Sequence, residues 1–350
     1  SHVRLGRLIG KGGEGGVYAI EGRPASVAKI YHEPVSPERA RKIEVMAAMR
    51  SPELEAVCAW PAGLIRSGRG AAGLLMPRID GRKELHLLHG PQSRKVEFRS
   101  AGFSFLVHVA GNIARAFAVL HGMSVLVGDV NDRGILVGQD GTVRLIDCDS
   151  FQVSSARHGF LCDVGVPGFT PPELQGVNLR GALRSVHHDN FGLAVLVFLL
   201  LCMARHPFAG RYKSGSIELE TAIAECRYAY SAESARTLMV PPPKTLPIAR
   251  VAGPEIAQLF ERAFSPAALP AAKTQRSPAA GRPSAKDWVD ALDRLKQGLV
   301  GCNLNHAHAF VKGLSSCPWC ELEQTSGADL FNFIMPPEGT AAVVDLELIW

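Results

Sequence analysis

The run Gly10-Lys-Gly12-Gly13-Glu-Gly15-Gly16-Val17 sets small residues between two strand-like segments. Glycines lack a Cβ, so their backbone amides can approach phosphate oxygens closely. The chain continues as strand after Val17, with no helix directly behind the glycines, which sets the pattern apart from a dinucleotide-binding turn. Lys29 follows on the next strand, flanked by Val27, Ala28 and Ile30. An ammonium in such apolar company is costly unless a carboxylate meets it. Two candidates for that carboxylate, Glu44 first and Glu38 second, lie on the amphipathic stretch 37–50. Asp129 and Asp147 stand 18 residues apart, each at the turn end of a short apolar run. A glycine loop, a lysine and two carboxylates are the parts that phosphoryl transfer requires, because that reaction is governed by the positioning of charge.

A second cluster lies near the C-terminus, where Cys302, His306 and His308 precede Cys317-Pro-Trp-Cys320. A C-x-x-C pair puts two thiolates on one turn, and a Cys/His pair upstream completes a four-ligand structural Zn²⁺ site with no open position. The remaining cysteines, 58, 148, 162, 202 and 226, are scattered. That is no disulfide framework and suits a reducing cytoplasm.

The elements that must hold these residues change character near residue 80. Strands are expected at 3–9, 17–20 and 26–31, with one helix at 37–50 capped by Ser36. Beyond Gly81 the periodicity predicts helices at 103–121, 191–203, 255–264 and 284–296, and an Ala/Pro-rich loop at 266–283. The expected class is α+β. It comprises a β-rich N-lobe (1–80), a helical C-lobe (81–298) around a cleft, a Cys/His appendage (299–325), and a tail (326–350) that is flexible or opens a further segment. A net charge of +5 from 38 basic and 33 acidic residues is too even for a nucleic-acid-binding stripe. The longest apolar run, 191–204, falls short of the roughly 20 residues a membrane span needs.

Taken in order, the glycine loop, Val27-Ala28-Lys29-Ile30, Asp129, Asp147, Thr170-Pro171-Pro172-Glu173, Asp189 and Arg282-Pro283 resemble the eukaryotic-type protein kinase fold over roughly 1–298. Further strings are similar to a bacterial group, the YegI-like and tellurium-resistance-associated kinases. They are Ala28-Lys-Ile-Tyr-His32, Leu75-Met-Pro-Arg78, Gly128-Asp-Val-Asn131, Asp147-Cys-Asp-Ser-Phe-Gln-Val153 and the Cys-Pro-Trp-Cys turn.

The resemblance implies a serine/threonine kinase using ATP with Mg²⁺ or Mn²⁺. Asp129 would orient the acceptor hydroxyl, Lys29 paired with Glu44 would hold phosphates, and Asp147 would bind metal. Gly10, Gly12, Gly15, Val17 and Ala28 would surround the nucleotide, with Met76 and Arg78 at the adenine hinge. Glu173 and Arg282 would form a buried ion pair, and His308, two before Phe310, is implied over His306 as the zinc ligand. Implied partners are a protein substrate, a von Willebrand A-domain protein and a PPM-type phosphatase, in cytoplasmic bacterial signalling and stress response.

Three positions depart from the kinase pattern. Gly128 replaces an arginine, so a phosphorylated activation segment would lack its usual cationic partner. Asn131 replaces a lysine. Gly134 stands where a metal-binding asparagine is expected, so Asn131 or Asp132 would have to supply the oxygen. The alternative is a catalytically impaired, nucleotide-binding scaffold.

Overall fold

A computed structural model describes residues 2–68, 70–154, 159–268 and 281–334. Five strands, β1 (Leu5–Lys11), β2 (Gly15–Ile20), β3 (Ser26–Tyr31), β4 (Gly63–Ser67) and β5 (Gly70–Pro77), form one antiparallel sheet ordered β1-β2-β3-β5-β4. Between β3 and β4 run α1 (Pro37–Ala48) and α2 (Pro52–Val57). Ser36 caps α1 by accepting the Arg39 N–H at 3.1 Å. Side chains alternate along a strand, so Lys29 and Tyr31 share one face of β3.

The rest is mainly helical. Its first stretch holds β6 (Arg82–Glu84), α3 (His86–His89), α4 (Pro91–Glu97) and α5 (Phe103–Gly122). Short strands follow: β7 (Val125–Leu126), β8 (Ile135–Gly138), β9 (Val143–Leu145), β10 (Gln152–Ser154) and β11 (Gly159–Phe160). Beyond them lie α6 (Val186–Leu201), β12 (Arg211–Tyr212), α7 (Leu219–Ala224), α8 (Ser234–Thr237), β13 (Met239–Val240), α9 (Ile248–Phe264) and α10 (Ala285–Gln297).

The helix α6 is buried on nearly every side, which is why its sequence is apolar without period. Phe191 and Phe198 on it meet Phe208, Phe260 and Phe264 in one aromatic cluster. By length and composition alone α5 could cross a membrane. Asn112 and Arg115 interrupt its apolar run, and it packs against α6 and α10 in the core. The helix expected at 255–264 starts earlier, at Ile248, with a break at Gly253 (φ 82°). Of the expected Ala/Pro-rich loop, 269–280 lie outside the described residues.

After α10, β14 (Leu299–Gly301) pairs with β15 (Ala309–Val311) and leads to α11 (Pro318–Ser326). Trp319 of α11 is buried against Phe103 of α5, with ring centroids 4.6 Å apart, and donates its indole N–H to the Ala309 carbonyl at 2.8 Å. Of the expected tail from 326, flexible or the start of a further segment, Leu330 to Ile334 run as a strap along α4. Arg94 donates to the Leu330 carbonyl at 2.6 Å and covers the Phe331 ring at 4.7 Å. Asn332 donates to the carbonyls of Lys95 and Arg99 at 3.1 and 2.8 Å.

Candidate active site

The strand register sets Val17 of β2 opposite Lys29 of β3, so the glycine loop overhangs the lysine. Its glycines serve different ends. A Cβ on Gly15 would lie 2.3 Å from the Ile30 carbonyl oxygen, which only glycine avoids, whereas Gly10 and Gly13 face open space. The Gly12 N–H closes the loop on the Gly15 carbonyl at 2.9 Å.

Lys29 is buried and meets carboxylates from the start of the activation segment. Its Nζ lies 2.8 and 3.0 Å from the two oxygens of Asp149 and 3.3 Å from Asp147, with Glu14 of the glycine loop at 3.9 Å. Burial works against the ammonium, but Asp149 and then Asp147 outweigh it and hold the Lys29 pKa above the ordinary lysine value. Asp149 is itself almost fully buried. Burial raises its pKa, yet Lys29, Tyr31 and Arg39 together keep it below the usual carboxylate value. Tyr31 donates its hydroxyl to Asp149 at 2.6 Å, and Arg39 of α1 donates at 3.1 Å while also pairing with Glu14.

The expected partner, Glu44, is elsewhere. It sits exposed on the outer face of α1 and pairs with Arg66 at 2.7 Å. The face of α1 turned toward the activation segment carries Arg39 and buried Lys42, the latter 3.4 Å from the Leu161 carbonyl. At 3.6 residues per turn, Glu44 lies roughly 200° around the helix from Lys42, so both cannot face inward. Glu38, the second candidate, is exposed.

The loop 127–134 that carries Asp129 is anchored by Asp189, whose carboxylate accepts the N–H groups of Val127 and Gly128 at 2.8 and 2.9 Å. Gly128 has φ 70°, and a Cβ there would meet Cys162 Cβ and Sγ at 2.6 and 2.7 Å. The arginine missing from this position therefore has no room. Asp129 presents a buried Oδ1 that has no hydrogen-bond partner within the described protein. Asp147 adopts a left-handed backbone (φ 55°) that leaves its carboxylate exposed in the cleft. Lys29, Asp129 and Asp147 line one cavity of about 280 Å³ together with Gly12, Gly13, Gly15 and Val17.

Burial pushes the Asp129 pKa up and the nearby Asn131 amide only partly offsets it. A carboxylate that must accept a hydroxyl proton works only when ionised. The acidic limb of kcat/KM for a protein acceptor is thus expected to turn over above the 3.8 of an ordinary aspartate. A limb at or below that value would show that Asp129 is not the titrating group.

Neither replacement expected for the missing metal ligand is free. The Asn131 Oδ1 accepts the N–H groups of Arg133 and Gly134 at 3.0 and 2.8 Å, and its Nδ2 donates to the Asp129 carbonyl at 3.0 Å. Its side chain is thus a brace for the loop. Asp132 is turned to His89 at 2.8 Å. The cleft offers Asp147 as its exposed carboxylate. One such carboxylate fits Mg²⁺, which binds one or two carboxylates plus substrate phosphates. At the expected hinge, Ala28 is fully buried and Met76 is half-buried on β5. The Arg78 N–H is committed to the Ala25 carbonyl at 3.0 Å, and its guanidinium pairs with Asp80.

Away from the cleft, Arg282 and Glu173 form the expected pair through two contacts of 2.7 and 2.9 Å. The C-terminal ligands also converge. Cys302, His308, Cys317 and Cys320 place their ligand atoms within 4.8 Å of one another. The Cys302 and Cys320 sulfurs are 3.6 Å apart, and His308 Nδ1 lies 3.4 Å from Cys320 and 3.8 Å from Cys317. A tetrahedral ion with Zn–S bonds of about 2.3 Å requires ligand separations of about 3.8 Å, so the cage suits zinc. His306 is exposed, and only its backbone N–H is used, by the Ile334 carbonyl. Glu323 meets His308 Nε2 at 3.2 Å and fixes the ring so that Nδ1 faces the sulfurs. Burial opposes both the imidazolium and the thiolate, yet Cys317 and Glu323 raise His308 to about 9, and His308 with nearby backbone groups lowers Cys317 to about 7.

The sequence reading missed Asp149, Tyr31, Arg39, Glu14 and Glu323. Two signals were present: Tyr31 follows Lys29 at the same-face spacing of a strand, and Asp149 follows Asp147 by two in a turn.

No protein-family model matches the chain. It is 41% identical to protein kinase YegI of Escherichia coli strain K12 over 324 residues, covering 91% of this chain and 48% of that protein. Protein kinase YegI of Escherichia coli O157:H7 is likewise 41% identical, over 92% of this chain and 49% of its own length. The chain thus spans about half the length of these relatives. A shorter match, 30% identical over 136 residues, covers 39% of this chain and 34% of the cAMP-dependent protein kinase catalytic subunit 2 of Drosophila melanogaster.

Proposed function

Because this chain belongs with the YegI-like bacterial protein kinases, we propose that it transfers the γ-phosphate of ATP to a serine or threonine hydroxyl of a protein. The observation that carries the reading is the buried, unpartnered oxygen of Asp129, which shares a cavity with Lys29 and Asp147 beneath the glycine loop. Lys29 holds phosphate oxygens, and the open backbone at Gly10 and Gly13 lets the loop approach them closely. Asp147 would hold Mg²⁺ or Mn²⁺, which neutralises charge on the phosphates. Asp129 orients the acceptor hydroxyl and takes its proton, while Asp189 fixes the loop through the Val127 and Gly128 amides. The adenine lies against Val17, Ala28 and the Met76–Arg78 segment.

In this reading 1–80 and 81–298 are the kinase lobes, and 299–325 is a zinc-held module that braces the second of them. The resemblance to tellurium-resistance-associated kinases supports a von Willebrand A-domain protein and a PPM-type phosphatase as partners in cytoplasmic stress signalling. Co-purification with each tests that assignment.

A second reading, a nucleotide-binding scaffold without transfer, is favoured by Gly134 and by the commitment of Asn131 to the loop. Gly134→Asn separates the two. A Cβ at this position meets Asn131 at 3.5 Å, ordinary contact, so a side chain can start there without a clash. A restored oxygen ligand is expected to raise kcat about tenfold, the equivalent of about 1.4 kcal/mol, over an activity the unaltered chain already has. Transfer seen only in Gly134→Asn would establish the scaffold.

A further inference from the structure

Lys29 is held by a carboxylate from an unexpected element. The helix beside it, α1, turns two cations inward, Arg39 and Lys42, and no carboxylate of α1 lies within ion-pair distance of Lys29 among the described residues. Asp149 fills that place from the first turn of the activation segment, two residues after Asp147. It accepts from three side chains on two elements: Lys29 and Tyr31 of β3, and Arg39 of α1.

We infer that Asp149 is the positioning residue for Lys29, and that α1 acts on the phosphate site through the Arg39–Asp149 contact in place of an acid of its own. The inference rests on the kinase reading and deepens it. The geometry makes the link three-membered. Arg39 bonds both Asp149 and Glu14 of the glycine loop, so one guanidinium joins α1, the activation segment and the loop over the phosphates. If α1 swings out, Asp149 loses a donor. If the turn Cys148–Ser150 unwinds, Lys29 loses its nearest anion and keeps Asp147, the residue needed at the metal. The buried state of Asp149 is therefore the competent one.

The test uses the whole chain with Asp149→Asn, Arg39→Gln, Lys29→Met, Lys29→Met/Asp149→Asn and Glu38→Gln/Glu44→Gln. Three readouts are followed: direct ATP binding, kcat and KM for transfer, and the pH profile of Lys29 acylation by an acyl-phosphate analogue of ATP. Asp149→Asn is expected to weaken ATP binding at least tenfold and lower kcat at least a hundredfold. The double variant should be no worse than Lys29→Met, because two residues acting through one contact do not add. Removing Asp149 leaves burial opposed only by Asp147 and Glu14, with Arg39 and Tyr31 nearby, so the acylation profile should move to lower pH. Arg39→Gln should lower kcat several-fold, and Glu38→Gln/Glu44→Gln should match the unaltered chain in every readout.

Additive losses in the double variant, or an unmoved acylation profile in Asp149→Asn, would overturn the assignment. If Asp149→Asn does not fold, the remaining variants decide. Loss of ATP binding in Glu38→Gln/Glu44→Gln, or none of the kcat loss in Arg39→Gln, refutes it. Binding and acylation need no phosphoryl transfer, so both stand if the chain proves to be a scaffold.

Discussion

Asp129→Asn is expected to lower kcat for phosphoryl transfer by about 10²–10⁴, the usual contribution of a positioned general base, while ATP binding stays within about twofold. The split follows from where the residue sits. Asp129 lines the cavity and its buried Oδ1 has no partner in the described protein, so in the proposed reading the carboxylate is placed for a group that arrives with substrate. In the proposed reading Lys29 and the glycine loop make the phosphate contacts, and the substitution leaves them in place. The loop geometry should survive as well, because Asp189 holds it through the backbone of Val127 and Gly128 and not through the Asp129 side chain. Steady-state kinetics with a protein acceptor, combined with calorimetric titration of ATP, measures both numbers. A kcat unchanged in the variant would remove Asp129 from the mechanism, and an equal loss in binding would make its role structural.

The second large effect concerns the Cys/His cage. Cys317→Ser, or treatment with a tight zinc chelator, is expected to lower the melting temperature by at least 5 °C and to release one equivalent of zinc. Structural zinc contributes about 10–16 kcal/mol in small peptides that fold only around it. Here packing also holds the module, since Trp319 is packed on Phe103 and bonded to the Ala309 carbonyl. A loss of even about 3 kcal/mol corresponds to roughly 6–12 °C for chains somewhat smaller than this one. The cage is tied to the core through Glu323, which meets His308 and also accepts the Leu330 and Phe331 amides that start the strap along α4. Metal loss is therefore expected to loosen the strap, read as faster amide exchange at Leu330 to Ile334. An unchanged melting curve with metal demonstrably removed would show that packing alone holds the module.

What could be read from the sequence was local chemistry. A glycine loop between strands, a lysine among aliphatic residues, aspartates at turns and a C-x-x-C turn each occupy one short stretch. The structure brings the loop, Lys29, Asp129 and Asp147 to one cavity and draws Cys302, His308, Cys317 and Cys320 together elsewhere. The rotation of a helix about its axis was not legible. Glu44 and Lys42 are both polar residues on a weakly amphipathic α1, and only packing against the activation segment decides that Lys42 is buried while Glu44 faces Arg66. Burial of Asp149 escaped notice for the same reason, because its three partners lie 110 to 120 residues away in sequence. The bracing role of Asn131 was hidden differently. Its bonds are local, to residues 129, 133 and 134, and follow the turn chemistry that asparagine favours. The metal-binding expectation drawn for that residue competed with this simpler use.

Kinase activity in the chain as it stands, with Gly134 and with Asn131 and Asp132 both engaged elsewhere, is the central claim. It is tested most directly by incubating the chain with γ-labelled ATP and Mg²⁺ or Mn²⁺ and a general protein acceptor, then analysing the labelled amino acids. The expected result is label on serine or threonine that disappears in Asp129→Asn. ATP bound with measurable affinity but no label on any hydroxyl, under either metal, would contradict it and leave the chain a nucleotide-binding scaffold.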